Sequence, residues 1–507
     1  MSEKPLKEDI EKIAKGTGAT LAGTAFGKSL FFVSQIVIAR LLGVEEFGLY
    51  SLGLASVKIC EIFARLGLNT GGMRFVSIYK DQDPHRLKGV IISAMGISLL
   101  SGFLMAVAVY FLSDALAQTF FQKPHLTPVL RVMACSIPFV AGMMVVSSLL
   151  QGFHTTKYTM YAREILQPAV NLPLVILFYL AGLGLRGAVY AFILSNLAAL
   201  LAGVYYCRRM FPALFSRTLQ PSYNIRPLLS YSFPLLFVGF LHFFLSSADI
   251  LMLGFLSSTR EVGIYKVVSQ LSSVMNVFLI ATNSIYAPLA ADLFQRSEMV
   301  RLATVFKTTT RWVSYATIPI FILLTFAGYE IMLIFGKEYA DSNSTVALSL
   351  LAFGYLVSCL TGGVGITLTM TQRQKLELFN SLAMVAMNLS LNYFLIPKYG
   401  AIGAAIACSA SIIAINLIRL GQVGLLYRMH PFTLQILKYM TPTVLSVVVL
   451  SIYYEVHFTV RSFTSLFIKT TVILLLFSVF FLKSRWMTEE DDIVWKKISG
   501  KFKKGGA

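Results

Sequence analysis

The sequence predicts an all-α integral membrane protein with about fourteen transmembrane helices, arranged as two pseudo-symmetric six-helix lobes followed by two C-terminal helices. Three observations predict it: a composition too apolar for a water-soluble chain, apolar runs of spanning length along the whole sequence, and a weak internal repeat.

Of the 507 residues, 56% are hydrophobic and 13% charged, and the mean hydropathy is +0.72. Soluble chains carry roughly 25% charged residues. The formal charge of +19 would suggest a nucleic-acid partner in a soluble protein. Here the cations cluster in short loops between apolar runs, so topology explains most of them and no nucleic acid is expected. The five cysteines (Cys60, Cys135, Cys207, Cys359, Cys408) fall inside apolar runs without C-x-x-C spacing, and the six histidines are scattered. Neither a disulfide framework nor a metal centre follows. The segment Met1–Lys15 mixes four lysines with four acids and lacks a signal-peptide pattern, so it is expected to be a retained cytoplasmic segment.

A spanning helix takes about 20 apolar residues. Such runs occur near 16–40, 45–66, 87–112, 126–150, 160–182 and 185–207, then near 228–254, 262–290, 312–336, 345–371, 376–397, 400–425, 432–454 and 462–482. With the N-terminus inside, 29 Lys and Arg residues lie in the tails and loops of that side, 7 in the opposite loops, and 7 within spans. The excess sets the orientation and puts both termini in the cytoplasm, with the chain multi-pass in the inner (cytoplasmic) membrane.

The repeat matches Val44-Glu45-Glu46-Phe47-Gly48-Leu49-Tyr50 to Thr259-Arg260-Glu261-Val262-Gly263-Ile264-Tyr265, 215 positions later. Gly187-Ala188-x-x-Ala191 recurs as Gly403-Ala404-x-x-Ala407, and Asn171-Leu172-x-Leu174 as Asn388-Leu389-x-Leu391. Six spans separate the copies, so both insert in the same orientation, which predicts two lobes with a cavity between them. The organisation that follows is an N-terminal lobe over 1–207, a cytoplasmic linker over 208–227, and a C-terminal lobe over 228–425. Two further helices cover 426–483, and a basic cytoplasmic tail covers 484–507.

Two motifs suggest phosphate binding and fail on context. Gly182-Leu183-Gly184-Leu185-Arg186-Gly187 fits G-x-G-x-x-G, but that fingerprint needs a preceding strand and a downstream acid; here it is a turn between spans. Gly23-Thr24-Ala25-Phe26-Gly27-Lys28-Ser29 is one residue short of a phosphate-binding loop and lies in the first span. Its glycines continue a stripe, Ala19-x-x-x-Gly23-x-x-x-Gly27, of the kind that packs membrane helices closely. With no nucleotide site, transport would run on an ion gradient or on the substrate's own. No cofactor is expected beyond a coupling H+ or Na+. Asn343-Ser344-Thr345, a formal glycosylation acceptor, carries no weight.

Polar residues inside spans are costly, so their placement is informative. Thr17, Thr24, Lys28 and Gln35 share one face of the first span, and Ser51, Lys58, Glu61 and Arg65 one face of the second. His242, Ser246 and Asp249 do so in the seventh span, and Lys266, Ser269, Gln270, Ser273, Asn276 and Asn283 in the eighth. The first and second spans correspond to the seventh and eighth under the repeat, so a shared wet cavity is the simplest account. Its cations are Lys28, Lys58, Arg65 and Lys266, and its acids Glu61 and Asp249. The balance favours an anion such as a phosphate or pyrophosphate.

Each residue also has a plainer reading. Arg65 and Lys266 lie near span ends, where they can snorkel. Glu61 is spaced for an ion pair with Lys58 or Arg65 as well as for proton coupling, and His242 can be a packing residue. Lys28 is too deep to snorkel cheaply. Asp249, with no evident partner, is expected to take part in ion coupling, unless a hydrogen bond pins its helix to a neighbour. Arg131, Arg419 and Lys469 lie off these faces and are expected to pack or anchor.

Ala39-Arg40-Leu41-Leu42-Gly43 with Glu46-Phe47-Gly48-Leu49-Tyr50 resembles the start of polysaccharide and oligosaccharide flippases. These belong to the multidrug/oligosaccharidyl-lipid/polysaccharide exporter superfamily. Further likeness lies in Gly67-Leu68 with Arg74-Phe75, in Asp249 before Met252-Leu253, in Val262-Gly263-x-Tyr265, and in Leu395-Ile396-Pro397-x-Tyr399-Gly400 before Gly403-Ala404-Ala405. The resemblance covers nearly the whole chain.

It implies alternating access by two rocking lobes that move a polyprenyl-(pyro)phosphate-linked saccharide from the inner to the outer leaflet. Substrate-binding residues would be Lys28, Gln35, Lys58, Arg65, Arg74, His242, Lys266, Gln270 and Asn276; ion-coupling residues would be Asp249 and Glu61. Partners would be the lipid-linked glycan, membrane lipids, and glycan polymerase or assembly proteins. The lipid II flippase branch is the nearest rival. Its first-span cations fall on Lys28 and on Ser34, its paired arginines near Glu61-Ile62, and its eighth-span arginine near Gln270. Three departures therefore weigh against the peptidoglycan precursor. Drug-exporting relatives favour acidic cavities, against the cationic balance here. A membrane-embedded glycosyltransferase, ligase or polymerase usually carries a large outer loop or a catalytic acid cluster; Asp491-Asp492 lie in a short basic tail, and no enzyme is expected.

Overall fold

The computed structural model describes residues 3–432 and 463–483, with positions 445 and 449 between them. The expected span at 432–454, the loop around Arg461 and the basic tail at 484–507 lie outside the described residues, as do the side chains of Thr17 and Thr24. All regular structure in the described residues is helical, with no strand among them. The helices are α1 (Glu3–Arg65), α2 (Leu68–Tyr79), α3 (Pro84–Asp114), α4 (Leu126–Ala134) and α5 (Ile137–Gly152). A π-helical stretch, Met160–Leu166, leads into α6 (Gln167–Leu180), followed by α7 (Gly184–Met210), α8 (Ile225–Leu256), α9 (Thr259–Ser272) and α10 (Val274–Gln295). The remainder are α11 (Met299–Phe326), α12 (Gly328–Leu333), α13 (Ser342–Thr361), α14 (Val364–Met370), α15 (Gln374–Tyr427) and α16 (Phe463–Lys483).

Six of the described helices are long and apolar enough to cross a bilayer, and seven if the bent pair α4–α5, with its 46° angle, counts as one span. Phe111, Leu180 and Leu425 point outward with more than three-quarters of their surface exposed, which suits lipid rather than water. The chain is a multi-pass membrane protein.

Two helices are broken by glycines whose backbone other residues rarely adopt: Gly43 (φ 73°) inside α1 and Gly400 (φ 54°) inside α15. Each break leaves the next helix with unsatisfied amides, and a carboxylate from elsewhere in the chain meets them. Val44 N donates to Glu338 Oε2 at 3.1 Å, and Ala401 N to Glu261 Oε2 at 2.6 Å. The breaks fall between the first and second, and the eleventh and twelfth, expected spans. Gly182 (φ 79°) and Gly184 (φ 48°) likewise form the turn that opens α7.

By backbone proximity the chain forms two compact units, one of 1–267 with 334–339 and 385–404, the other of 268–333, 340–384 and 405 onward. In the first, Leu68, Val76, Ile91, Val146, Leu149 and Leu200 pack α2, α3, α5 and α7 into one core. The linker expected at 208–227 lies along the first turns of α3. There Lys88 Nζ donates to Ser216 O at 2.6 Å and Leu219 O at 2.8 Å, and His85 Nδ1 sits 2.7 Å from Gln220 O. Lys123, in the loop before α4, caps the end of α8 by donating to Gly254 O at 2.5 Å and Ser257 O at 2.7 Å; burial lowers its pKa.

The repeated motif meets its own copy in this unit. A Cβ on Gly48 would overlap the carbonyl of Thr259, and one on Gly263 would overlap the carbonyl of Val44. Thr259 precedes Gly263 by four residues, as Val44 precedes Gly48, so the contact is reciprocal, like an isologous interface. The matching tyrosines, Tyr50 and Tyr265, are both 1% exposed.

In the second unit, Tyr286, Leu293, Leu302, Phe306 and Val423 form the core. Asn380 and Gln422 exchange two amide hydrogen bonds, at 2.7 and 3.0 Å, and Arg419 pairs with Glu377. Helix α16 docks through Lys469, whose ammonium meets Glu330 Oε1 at 2.6 Å and Phe326 O at 2.9 Å, with Ser465 donating to the same carboxylate oxygen. The expected packing roles of Arg419 and Lys469 thus take the form of ion pairs, the second almost wholly buried.

Candidate functional site

A cavity of about 530 Å³ lies wholly within the first unit, in the size range of small-ligand sites. Lys28, Lys58, Glu61, Arg65 and Lys266, five of the residues singled out from sequence, line it together. Ser51, Arg163, Glu164, Gln167 and Asn196 join them, and an apolar wall is made by Phe31, Leu54, Val140, Met143, Met144, Phe192 and Ile250.

The two halves of α1 supply most of the charge. Gly27 places Lys28: a Cβ at Gly27 would overlap the backbone carbonyl of Glu164, and one at Gly23 would overlap the sulfur of Met160. The small-residue stripe therefore seats α1 directly on the π-helical stretch. That stretch brings in Arg163 and Glu164, which the sequence reading passed over. Beyond the Gly43 break, Lys58, Glu61 and Arg65 follow at helical spacing and all three line the cavity. Glu61 Oε1 lies 2.7 Å from Arg65 Nε, and the Glu61 side chain is 3% exposed; the expected ion pair is formed with Arg65.

Five cations thus face two carboxylates. Arg65 is compensated by Glu61, and Arg163 Nε lies 3.6 Å from Glu164 Oε1. Lys28, Lys58 and Lys266 form no ion pair with a carboxylate among the described residues, though Glu61 acts on Lys58 through space. Lys58 Nζ instead donates to Ser247 Oγ at 2.9 Å and Ser246 Oγ at 3.4 Å. Three ammonium groups against an apolar wall make an anion-attracting field that the low-dielectric surroundings strengthen.

The other singled-out residues lie elsewhere. Gln35 is buried, with no donor to its Oε1 among the described residues. Arg74 is exposed and stacks on Tyr231, with 4.2 Å from guanidinium carbon to ring centroid. His242 is exposed on α8. Gln270 and Asn276 belong to the second unit.

Asp249 corrects an expectation. It does not lack partners: one carboxylate oxygen accepts from Tyr265 OH at 2.6 Å, the other from Asn388 Nδ2 at 3.0 Å and Asn392 Nδ2 at 2.7 Å. All three donors are neutral. Asn388 and Asn392 stand one helical turn apart on α15, so both amides reach one oxygen. The Asn392 Oδ1 beside them is buried with no donor among the described residues.

Residues 13–294 match the family described as polysaccharide biosynthesis protein. Among individual relatives, a Shigella flexneri protein described as an O-antigen transporter is 24% identical over 79% of this chain and 95% of its own. The succinoglycan biosynthesis transport protein ExoT of Rhizobium meliloti is 23% identical over 70% of this chain and 68% of its own. Among solved structures, the lipid II flippase MurJ in an inward closed conformation superposes with a TM-score of 0.72 at 14% identity, covering 91% of this chain and 97% of its own. An inward-facing multidrug resistance MATE family transporter of the MOP superfamily gives 0.67 at 16% identity, covering 79% and 94%. These likenesses establish a shared fold.

Proposed function

The chain belongs to the polysaccharide biosynthesis protein family, and from that premise we propose that it is a flippase. It carries a polyprenyl-(pyro)phosphate-linked oligosaccharide from the inner to the outer leaflet of the cytoplasmic membrane by alternating access. The observation that carries this reading is the cavity in which Lys28, Lys58 and Lys266 form no ion pair with a carboxylate among the described residues and face an apolar wall. An amphiphile with an anionic linkage is complementary to both walls: phosphate oxygens take charge-assisted hydrogen bonds from the ammonium groups, and apolar atoms take the rest. The relatives named as glycan transporters support the same substrate class. The chain moves its substrate without altering it.

The reading includes about fourteen spans in two rocking six-helix lobes, and H+ or Na+ as coupling ion. Glycan polymerase or assembly proteins are its partners. In proteoliposomes, a fluorescent polyprenyl-pyrophosphate oligosaccharide should become accessible in the opposite leaflet faster than in protein-free vesicles, and be recovered chemically intact. Movement no faster than in empty vesicles, or a new glycosidic product, would refute the flippase reading.

Both termini and the linker are cytoplasmic in this scheme, and the loop around Arg461 is outside, following the 29-to-7 division of loop cations. Cysteines placed at Ser216 and Ser462 are then expected to differ in intact cells, with only the second labelled by an impermeant thiol reagent. Equal labelling overturns the topology.

A further inference from the structure

Lys58 differs from Lys28 and Lys266 in having hydrogen-bond acceptors. Its ammonium donates to Ser247 Oγ at 2.9 Å and Ser246 Oγ at 3.4 Å, and lies 5.7 Å from the ring centroid of Phe243. Lys58 stands on the second half of α1; all three partners stand on α8. The serines are arranged to receive it: Ser246 Oγ donates its own proton to Phe243 O at 3.2 Å, which leaves its lone pairs for the ammonium. Ser247 is 8% exposed, yet it lines the cavity beside Lys58.

Two neutral hydroxyls and a ring face solvate a cation without neutralising it. A phosphate oxygen adds to the hydrogen bond an opposite charge that a serine hydroxyl lacks, so an anion in the cavity draws the ammonium off α8. The serines take two of the three N–H donors of the ammonium, so Lys58 gives a ligand its full set only by leaving α8.

We propose that Ser247, assisted by Ser246, is a positioning residue that holds the Lys58 ammonium against α8 and yields it to the phosphate oxygens of the lipid-linked substrate, so that loading unties the second half of α1 from α8. This rests on the reading that the cavity takes a (pyro)phosphate linkage, and it adds how loading is sensed. The same helix carries Asp249 two residues beyond Ser247, so a change in what α8 is tied to at Ser247 arises beside the Asp249 cluster.

The test uses the purified full-length protein, with inorganic pyrophosphate as probe and calorimetry as readout. Removing the hydroxyl removes a bond that binding must break, so Ser247→Ala should bind pyrophosphate about threefold to tenfold more tightly than wild type. Ser247→Thr, which keeps the hydroxyl, should restore the wild-type value. In a Lys58→Ala background the gain should vanish, because a double-mutant cycle isolates the pair. If Ser247→Ala is not recovered folded, Ser247→Cys replaces the hydroxyl with a weak acceptor at nearly the same size. Unchanged or weaker binding in the hydroxyl-free variant, or a gain that persists without Lys58, overturns the bridge while leaving the flippase reading intact. Absence of pyrophosphate binding by the wild type removes that reading and the bridge with it.

Discussion

Lys28→Ala is expected to lower transport of a lipid-linked oligosaccharide at least about tenfold, while Lys28→Arg keeps a substantial part. Lys28 is exposed on the cavity wall, so truncation opens no void in a packed core. No side chain among the described residues pairs with it, so its loss strands no buried partner. What remains is its charge. A charge-assisted hydrogen bond to phosphate contributes about 1.5–3 kcal/mol, and 1.4 kcal/mol is already a tenfold change. Arginine preserves the charge but spreads it over a wider fork, hence partial retention. Binding of the sugar-free lipid pyrophosphate should weaken as well, because the contact is made to the linkage. A Lys28→Ala protein that is folded and flips substrate at the wild-type rate would remove the cationic-cavity mechanism at its centre.

The cavity was legible in the sequence where helical periodicity applies and illegible where it does not. Lys58, Glu61 and Arg65 follow one another at three and four residues on an unbroken stretch of α1, and the structure puts all three on one wall. Lys28 joins them across the Gly43 break because each segment keeps its own polar face. Arg163 and Glu164 escaped notice because they sit in a π-helical stretch, whose i→i+5 bonding shifts every later residue off the 3.6-residue register. Their one sequence signal was an adjacent charged pair inside an expected span. The partners of Asp249 were hidden for another reason: Asn388 and Asn392 lie 139 and 143 positions away, and no local pattern reports so distant a contact. The repeat paired two positions that touch without indicating that they do. Gly48 and Gly263 were matched as equivalents from sequence, and they prove to be in reciprocal contact.

That equivalence also separates the two readings of Asp249, for which Asp249→Asn is expected to fold and reach the membrane yet lose the dependence of transport on a proton or sodium gradient. At the repeat's spacing of 215, Asp249 corresponds to Ser34, and Asn388 is the counterpart of Asn171. In the first copy, Ser34 Oγ donates to Asn171 Oδ1 at 3.0 Å: a neutral pair ties the helices. The second copy makes the corresponding tie with a carboxylate. Pinning alone therefore does not call for a charge, and a carboxylate at membrane depth held only by neutral donors is costly. A cation bound beside it would offset that charge and would also find the buried Asn392 Oδ1, which has no donor among the described residues. Asparagine at 249 keeps the shape: its oxygen can accept from Tyr265 and its amide can donate to Asn392 Oδ1 once that side chain turns over, so the helix stays tied while the charge is gone. Transport measured with and without an imposed ion gradient, at matched surface expression, separates the cases. Wild-type rates with unchanged ion dependence in Asp249→Asn would leave Asp249 as a tie between helices and nothing more.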